Sequence, residues 1–300
     1  MGEELARLRR EAAEVFELAE QITGYRLRQL CAEGPAEQLN RTKYTQPAIF
    51  TTSIAIMRVL QGSGVTCQAA AGHSLGEYTA LVAAGVLPFA AALEIVTRRA
   101  EMMDEVASRG EGGMAAVIGL EREAVADICR AVSASDDARG IVQPANFNAP
   151  NQVVISGAGE ALEEAVAEAR RRGARKVITL AVSGPFHSSL MAGIGERLRP
   201  VLERREFSAP KVALAMNATG DLVSDPDNIK ELLVAQVSSP VLWEESIRRL
   251  EAEGFGSFLE VGPGQVLSGL IKRILPQCRV DHVEDEKTLE KVLAQMGGTV

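Results

Sequence analysis

Five residues, Gly72-His73-Ser74-Leu75-Gly76, constrain this chain more than any other feature, because of what flanks them. Residues 67–71 are a short apolar run, and the spacing after the motif predicts an apolar helix up to Ala84, stopped by Gly85. Strand, sharp turn and helix in that order force the central serine into a strained elbow. The hydroxyl is lifted clear of the sheet, and the next backbone N–H is aimed at an oxyanion developing there. Gly72 and Gly76 are expected to give the turn its room. A packing turn of small residues would share the five-letter pattern; the strand and helix on either side favour the elbow.

A serine hydroxyl is a weak nucleophile at neutral pH and needs a base, usually His, within hydrogen-bond reach. The chain holds three histidines. His73 adjoins Ser74, where adjacency would turn its ring away from the nucleophile, so a structural role suits it better. His282 lies among Asp281, Glu284 and Asp285, whose charges favour imidazolium and weaken it as a base. His187 follows a predicted junction between two domains, where binding pockets form. A lone His is more often a satisfied polar residue, but elimination here favours His187.

The rest of the pattern is alternating strand and helix. Helices are expected over residues 3–20 and 46–60, the second with Pro47 in its first turn. From Gly113 the texture changes to strand 114–120, helix 122–132, strands 140–146 and 152–156, helix 160–172 and strand 176–182. That βαββαβ order is the split pattern of a ferredoxin-like unit. Helix 189–204, strand 212–216, helices 228–235 and 241–253, strand 258–261 and helix 265–274 follow. The reading is therefore α/β: residues 1–112 and 183–300 form a core with a mostly parallel sheet and helices on both faces, akin to an α/β-hydrolase, and residues 113–182 are a small inserted domain.

Composition removes several function classes. The net charge is -8 and the 32 basic residues are scattered, which argues against nucleic acid. Cys31, Cys67, Cys129 and Cys278 lie far apart, with no spacing that suits a metal, so they read as reduced thiols and no metal or redox cofactor is expected. The start carries Glu3, Glu4 and arginines where a secretory signal needs an apolar run, and no segment reaches the roughly 20 apolar residues of a membrane span. A cytoplasmic monomer that avoids membranes is the expectation.

Further residues sharpen this. Gly72-His73-Ser74-Leu75-Gly76-Glu77-Tyr78, then Arg99, then Asn146-Phe147-Asn148-Ala149-Pro150-Asn151-Gln152, resemble the malonyl-CoA:acyl carrier protein transacylase family. Gly184-Pro185-Phe186-His187-Ser188, residues 236–243 and Glu260-Val261-Gly262-Pro263-Gly264 continue the resemblance in the same order. It implies transfer of a malonyl group from malonyl-CoA to the phosphopantetheine thiol of acyl carrier protein through an ester on Ser74. His187 would be the base, oriented by the backbone carbonyl of Gln236, and the Leu75 backbone N–H would serve the oxyanion. Arg99 would hold the malonyl carboxylate through a bidentate, charge-assisted pair. Phe186 and the Leu75 side chain would crowd the acyl alpha carbon, which favours unbranched malonyl, while Asn148 and Gln152 would face the pantetheine. Turn formation explains the Asn-x-Pro stretch equally well.

The chain also departs from that family. Members begin with a strand and a Gly-Gln-Gly segment, neither of which is present, so a misassigned or truncated start with reduced activity is expected. Missing one oxyanion donor costs roughly 100- to 1,000-fold in comparable sites. Two rivals stay open at this stage: a GxSxG α/β-hydrolase using His282 with Asp221 or Asp225, and an inactive truncated homologue that only binds carrier protein. For docking an acidic carrier, Arg171, Arg172, Arg175, Lys176, Lys272 and Arg273 are the candidate cations.

Overall fold

The computed structural model describes residues 1–110, 112–134, 140–182 and 184–296. Ser183, in the segment leading to His187, lies outside the described residues. The chain opens with α1 (Glu3–Leu8), α2 (Arg10–Thr23), α3 (Leu27–Glu33) and α4 (Ala36–Leu39), then the long α5 (Thr42–Gly62). The single helix expected over residues 3–20 is broken at Arg9, whose backbone is extended at φ -124° and ψ 120°. That break lets the Arg9 guanidinium reach Glu286 near the far end of the chain, Nε to Oε1 at 3.0 Å. Pro47 is not in the first turn of α5, since the helix starts at Thr42; one turn in, it forfeits the bond its N–H would give Lys43.

Next come β1 (Ala69–Ala70), α6 (Gly76–Ala83) and α7 (Phe89–Ala107), and then β2 (Gly112–Ile118), α8 (Arg122–Ser133), β3 (Val142–Ala149), β4 (Gln152–Ala158), α9 (Gly159–Arg171) and β5 (Lys176–Thr179). A 3-10 turn, Ser189–Met191, leads into α10 (Ala192–Glu203), β6 (Ala213–Met216), β7 (Asp221–Leu222), α11 (Pro226–Gln236) and α12 (Trp243–Ala252). The chain finishes with β8 (Ser257–Val261), α13 (Val266–Ile274), β9 (Arg279–Val283) and α14 (Glu286–Met296).

The fold is α/β, but among the described residues the strands are divided among three sheets instead of one mostly parallel sheet. Among the described residues, β1 pairs parallel with β6 and β8 with β9, one isolated parallel bridge joins Asn146 to Val241, and β7 runs antiparallel to β6. The apolar run before the elbow is mostly alanine, and only two residues of it form ladder, Ala69 opposite Ala213 and Ala70 opposite Leu214. The largest sheet is antiparallel, in the order β3-β4-β2-β5. Its core, including Val117, Val125, Ile128, Val153, Ile155 and Leu162, is a cluster of its own beneath α8 and α9.

Two features of packing place the site. α5 is buried on nearly every face, even at Thr51, Thr52 and Ser53, and it packs along α7 with Phe50 stacked on Phe89 at 5.7 Å between centroids. Burying two such rings is worth about 1.5–3 kcal/mol each, so α7 is held firmly against the central helix. At the other side β3 is tied to the segment after α11, where Phe147 N–H donates to Val241 at 2.9 Å and Val241 N–H returns to Ala145 at 2.8 Å. Those bonds carry Asn148 toward the elbow. Among the described residues no helix is long and apolar enough to cross a membrane.

Candidate active site

Ser74 has φ 51°, the left-handed region that L side chains rarely occupy. The turn is possible because of Gly72, where a Cβ would lie 1.9 Å from the carbonyl oxygen of Gly76. Gly76 needs no such room: a Cβ there meets nothing within 4 Å, so the expectation that both glycines open the elbow holds only for the first. α6 starts at Gly76, and among the described residues the Leu75 N–H donates to nothing, which leaves it free for an oxyanion.

The Ser74 hydroxyl is within reach of His187. Oγ lies 2.7 Å from Nε2, while Nδ1 is 2.9 Å from the backbone oxygen of Gln236. A carbonyl can only accept, so Nδ1 carries the proton and Nε2 presents its lone pair to the serine. Burial, reinforced by the positive charge of Arg99, pushes the imidazole down to about 3. The ring is therefore neutral at physiological pH. His73 points elsewhere, its Nε2 2.8 Å from Asn148 Oδ1 and its ring 5.7 Å from that of Trp243.

The Ser-Asp-His arrangement with His282 does not form. His282 lies on β9, 3.7 Å from Glu284, Asp221 is paired with Arg249, and Asp225 caps the start of α11 by accepting from Asn228.

Arg99 stands on α7, the second helix after the elbow, and is fully buried. Its Nη1 donates to Gln46 at 2.6 Å, and its Nη2 donates to Gln236 Oε1 at 3.0 Å and reaches Ser74 Oγ at 3.2 Å. Its Nε has no partner, and among the described residues no carboxylate pairs with it. Burial lowers the guanidinium from its ordinary value, yet an arginine keeps its charge. A buried cation without an anion costs several kcal/mol, and this one lies beside the nucleophile. The arrangement can accept an acyl group that carries its own negative charge.

The acyl transferase domain family matches residues 1–295. The chain belongs to that family.

Curated relatives of this acyltransferase include the malonyl CoA-acyl carrier protein transacylases of Bacillus subtilis, 42% identical over 97% of this chain and 90% of that protein, and of Escherichia coli K12, 43% identical over 93% and 90%. Among solved structures, the acyl-carrier-protein S-malonyltransferase of Burkholderia pseudomallei superposes with a TM-score of 0.92 at 40% identity, over 98% of this chain and 95% of that one. A malonyl-transacylase in complex with a type II PKS acyl-carrier protein gives 0.93 at 39% identity, over 97% and 94%.

The remaining expected residues of the acyltransferase fall in two groups. Leu75, Phe186 and Asn148 are buried near the elbow, Phe186 with its ring against Gly184, where a Cβ would lie 2.6 Å away. Gln152 is at the start of β4, where its side chain accepts from Arg273 on α13, and no hydrogen bond joins it to Ser74, His187 or Arg99 among the described residues. Three residues escaped sequence reasoning. Gln46 receives Arg99. Asn217, just past β6, accepts the Ser74 N–H at 2.7 Å. Glu77 accepts from Asn217 N–H and from Gln236 Nε2, and burial pushes its carboxyl up to about 8 against the pull of those two bonds and of Arg99. Glu77 was visible inside the elbow motif but no spacing rule gives it a task; Asn217 carries no local signal at all.

Proposed function

We propose that this acyltransferase moves a malonyl group from malonyl-CoA to the phosphopantetheine thiol of acyl carrier protein, acting in the cytosol as a monomer. The observation that carries the substrate is the buried Arg99, which no carboxylate pairs with among the described residues and whose Nη2 lies 3.2 Å from Ser74 Oγ. His187 Nε2 takes the serine proton as Oγ attacks the thioester carbonyl, the Leu75 N–H supports the oxyanion, and the imidazolium returns its proton to the departing coenzyme A thiol. The carrier thiol then gives its proton to His187 and attacks the ester, and the imidazolium returns that proton to the departing Ser74 oxygen, which restores both the hydroxyl and the neutral base. No resident metal or cofactor is needed, because pantetheine enters with both substrates.

We read residues 1–112 and 183–300 as an α/β-hydrolase-like catalytic core and 113–182 as a ferredoxin-like insertion, a reading supported by the β3-β4-β2-β5 order and the separate core beneath it. Phe186 and the Leu75 side chain line the space beside the acyl alpha carbon, and Asn148 and Gln152 face the pantetheine. For the acidic carrier, Arg175, Lys176 and Lys272 are the better docking cations, since Arg171 and Arg172 are already paired with Glu164 and Glu168 and Arg273 is engaged with Gln152.

Intact mass after incubation with malonyl-CoA tests the reading. One malonyl adduct is expected on the wild-type protein and none on Ser74→Ala, and holo carrier protein is expected to remove it much faster than water does. Absence of an adduct on the folded wild-type protein would end the proposal.

A further inference from the structure

We infer that Asn217 is a positioning residue for the nucleophile, its carboxamide clasping the elbow across His73, from the Gly72 carbonyl to the Ser74 N–H, while Glu77 holds Asn217 in place. The inference rests on Ser74 being the nucleophile and not on which acyl group it carries.

Asn217 is fully buried. Its Oδ1 accepts from Ser74 N–H at 2.7 Å and its Nδ2 donates to the Gly72 carbonyl at 2.7 Å. Neither elbow group has another partner among the described residues. They lie beyond the end of β1 and before the start of α6, so no ladder or helix satisfies them. The side chain therefore does for a left-handed serine, φ 51°, what secondary structure does elsewhere. An amide is required, because one face meets a donor and the other an acceptor.

Asn217 is itself pinned. Its N–H donates to Glu77 Oε1 at 2.5 Å and its carbonyl accepts from Leu242 at 2.9 Å. The other Glu77 oxygen accepts from Gln236 Nε2 at 2.7 Å, and that same Nε2 donates to the Ser74 carbonyl at 2.9 Å. Since the Gln236 backbone orients His187, the Glu77 carboxyl joins the strand that sets the nucleophile to the helix end that sets its base.

Labelling of Ser74 by an alkyl fluorophosphonate, followed by intact mass, tests this. The probe needs a serine activated by its base but no carboxylate on the acyl group. Wild-type protein that takes the probe but no malonyl group would defeat the substrate reading and leave the clasp standing. Folded Asn217→Ala is expected to label roughly 10- to 100-fold more slowly, the effect of stranding two buried polar groups.

Asn217→Asp is nearly isosteric and gives a readout that mere loss of packing would not. Its carboxyl can donate to Gly72 only while protonated, so its labelling rate divided by that of the wild type is expected to fall from about pH 5 to about pH 8 with an unchanged circular dichroism spectrum. Glu77 on α6, Arg99 on α7, and His73 and His187 beside Ser74 are the titratable or charged groups around it, and division by the wild-type rate removes their own titration. If Asn217→Ala does not fold, the aspartate profile decides alone. Labelling of folded Asn217→Ala within about twofold of wild type, or an Asn217→Asp ratio flat with pH, would overturn the inference.

Discussion

Replacing Arg99 by alanine should change which acyl group loads far more than whether loading occurs. Among the described residues no carboxylate pairs with the guanidinium, and the Glu77 carboxyl it pulls on is pushed up to about 8 by burial, so in the proposed reading a malonyl carboxylate is its first ion-pair partner. Taking one member from a buried ion pair costs about 3–5 kcal/mol. At 1.36 kcal/mol per factor of ten, kcat/KM for malonyl-CoA should fall roughly 100- to 5,000-fold. Acetyl-CoA offers no carboxylate and loses only the weak Nη2 contact to Ser74 Oγ at 3.2 Å, so its loading should change much less. Arg99→Lys keeps the charge but not the planar fork that Gln46 and Gln236 brace, and should fall between. The assay is single-turnover loading read by intact mass, malonyl-CoA beside acetyl-CoA, with circular dichroism to check the fold. An Arg99→Ala protein that loads the two in the wild-type proportion would refute the reasoning.

Acid should expose the buried base. His187 is held near 3 when folded against an ordinary 6.5, so below about pH 6.5 the unfolded chain binds a proton that the native state refuses, and stability is lost as pH falls. Between pH 6.5 and pH 5 this amounts to about 2 kcal/mol, and urea titrations of His187→Asn should show a loss smaller by that amount; equal losses would mean the ring is not held neutral. At the elbow, Gly72→Ala should abolish loading or folding because its Cβ would lie 1.9 Å from the Gly76 oxygen, whereas Gly76→Ala should load and melt like the wild type. Loss of loading in folded Gly76→Ala would show that the turn needs both glycines.

Which parts could be read in the sequence follows from how local their causes are. Ser74 announces itself because an elbow is a local pattern, and His187 follows by elimination among three histidines. Arg99 has no local mark: Arg98 beside it is exposed and paired with Glu101, and only packing against α5 distinguishes the two. Asn217 is harder still. Its task exists because β6 lies parallel to β1 and delivers its end to the elbow, a nonlocal pairing that a single Asn after an apolar run does not reveal. β9 is hard to read in the sequence because Arg279, Asp281 and His282 disguise the strand, whose apolar positions Val280 and Val283 are too few to show a period of two.

The electrostatics of the resting site explain why an aspartate need not stand behind His187. A carboxylate placed there would lie near the guanidinium that already touches Ser74, and in so dry a site it would compete with the acyl carboxylate for it. A backbone carbonyl fixes the tautomer without that competition. The consequence reaches the base, because Arg99 is the second cause, after burial, of the depressed imidazole. While the cation is unneutralised, protonating His187 is unfavourable and Ser74 is poorly activated. On the proposed reading, a bound malonyl carboxylate would cancel the charge and raise the basicity of Nε2 at the moment the thioester is in place. Selectivity is then exerted on the chemical step as well as on binding, so saturating acetyl-CoA should load with a depressed kcat and not only a raised KM. Equal maximal loading rates for the two thioesters would show that Arg99 acts on binding alone.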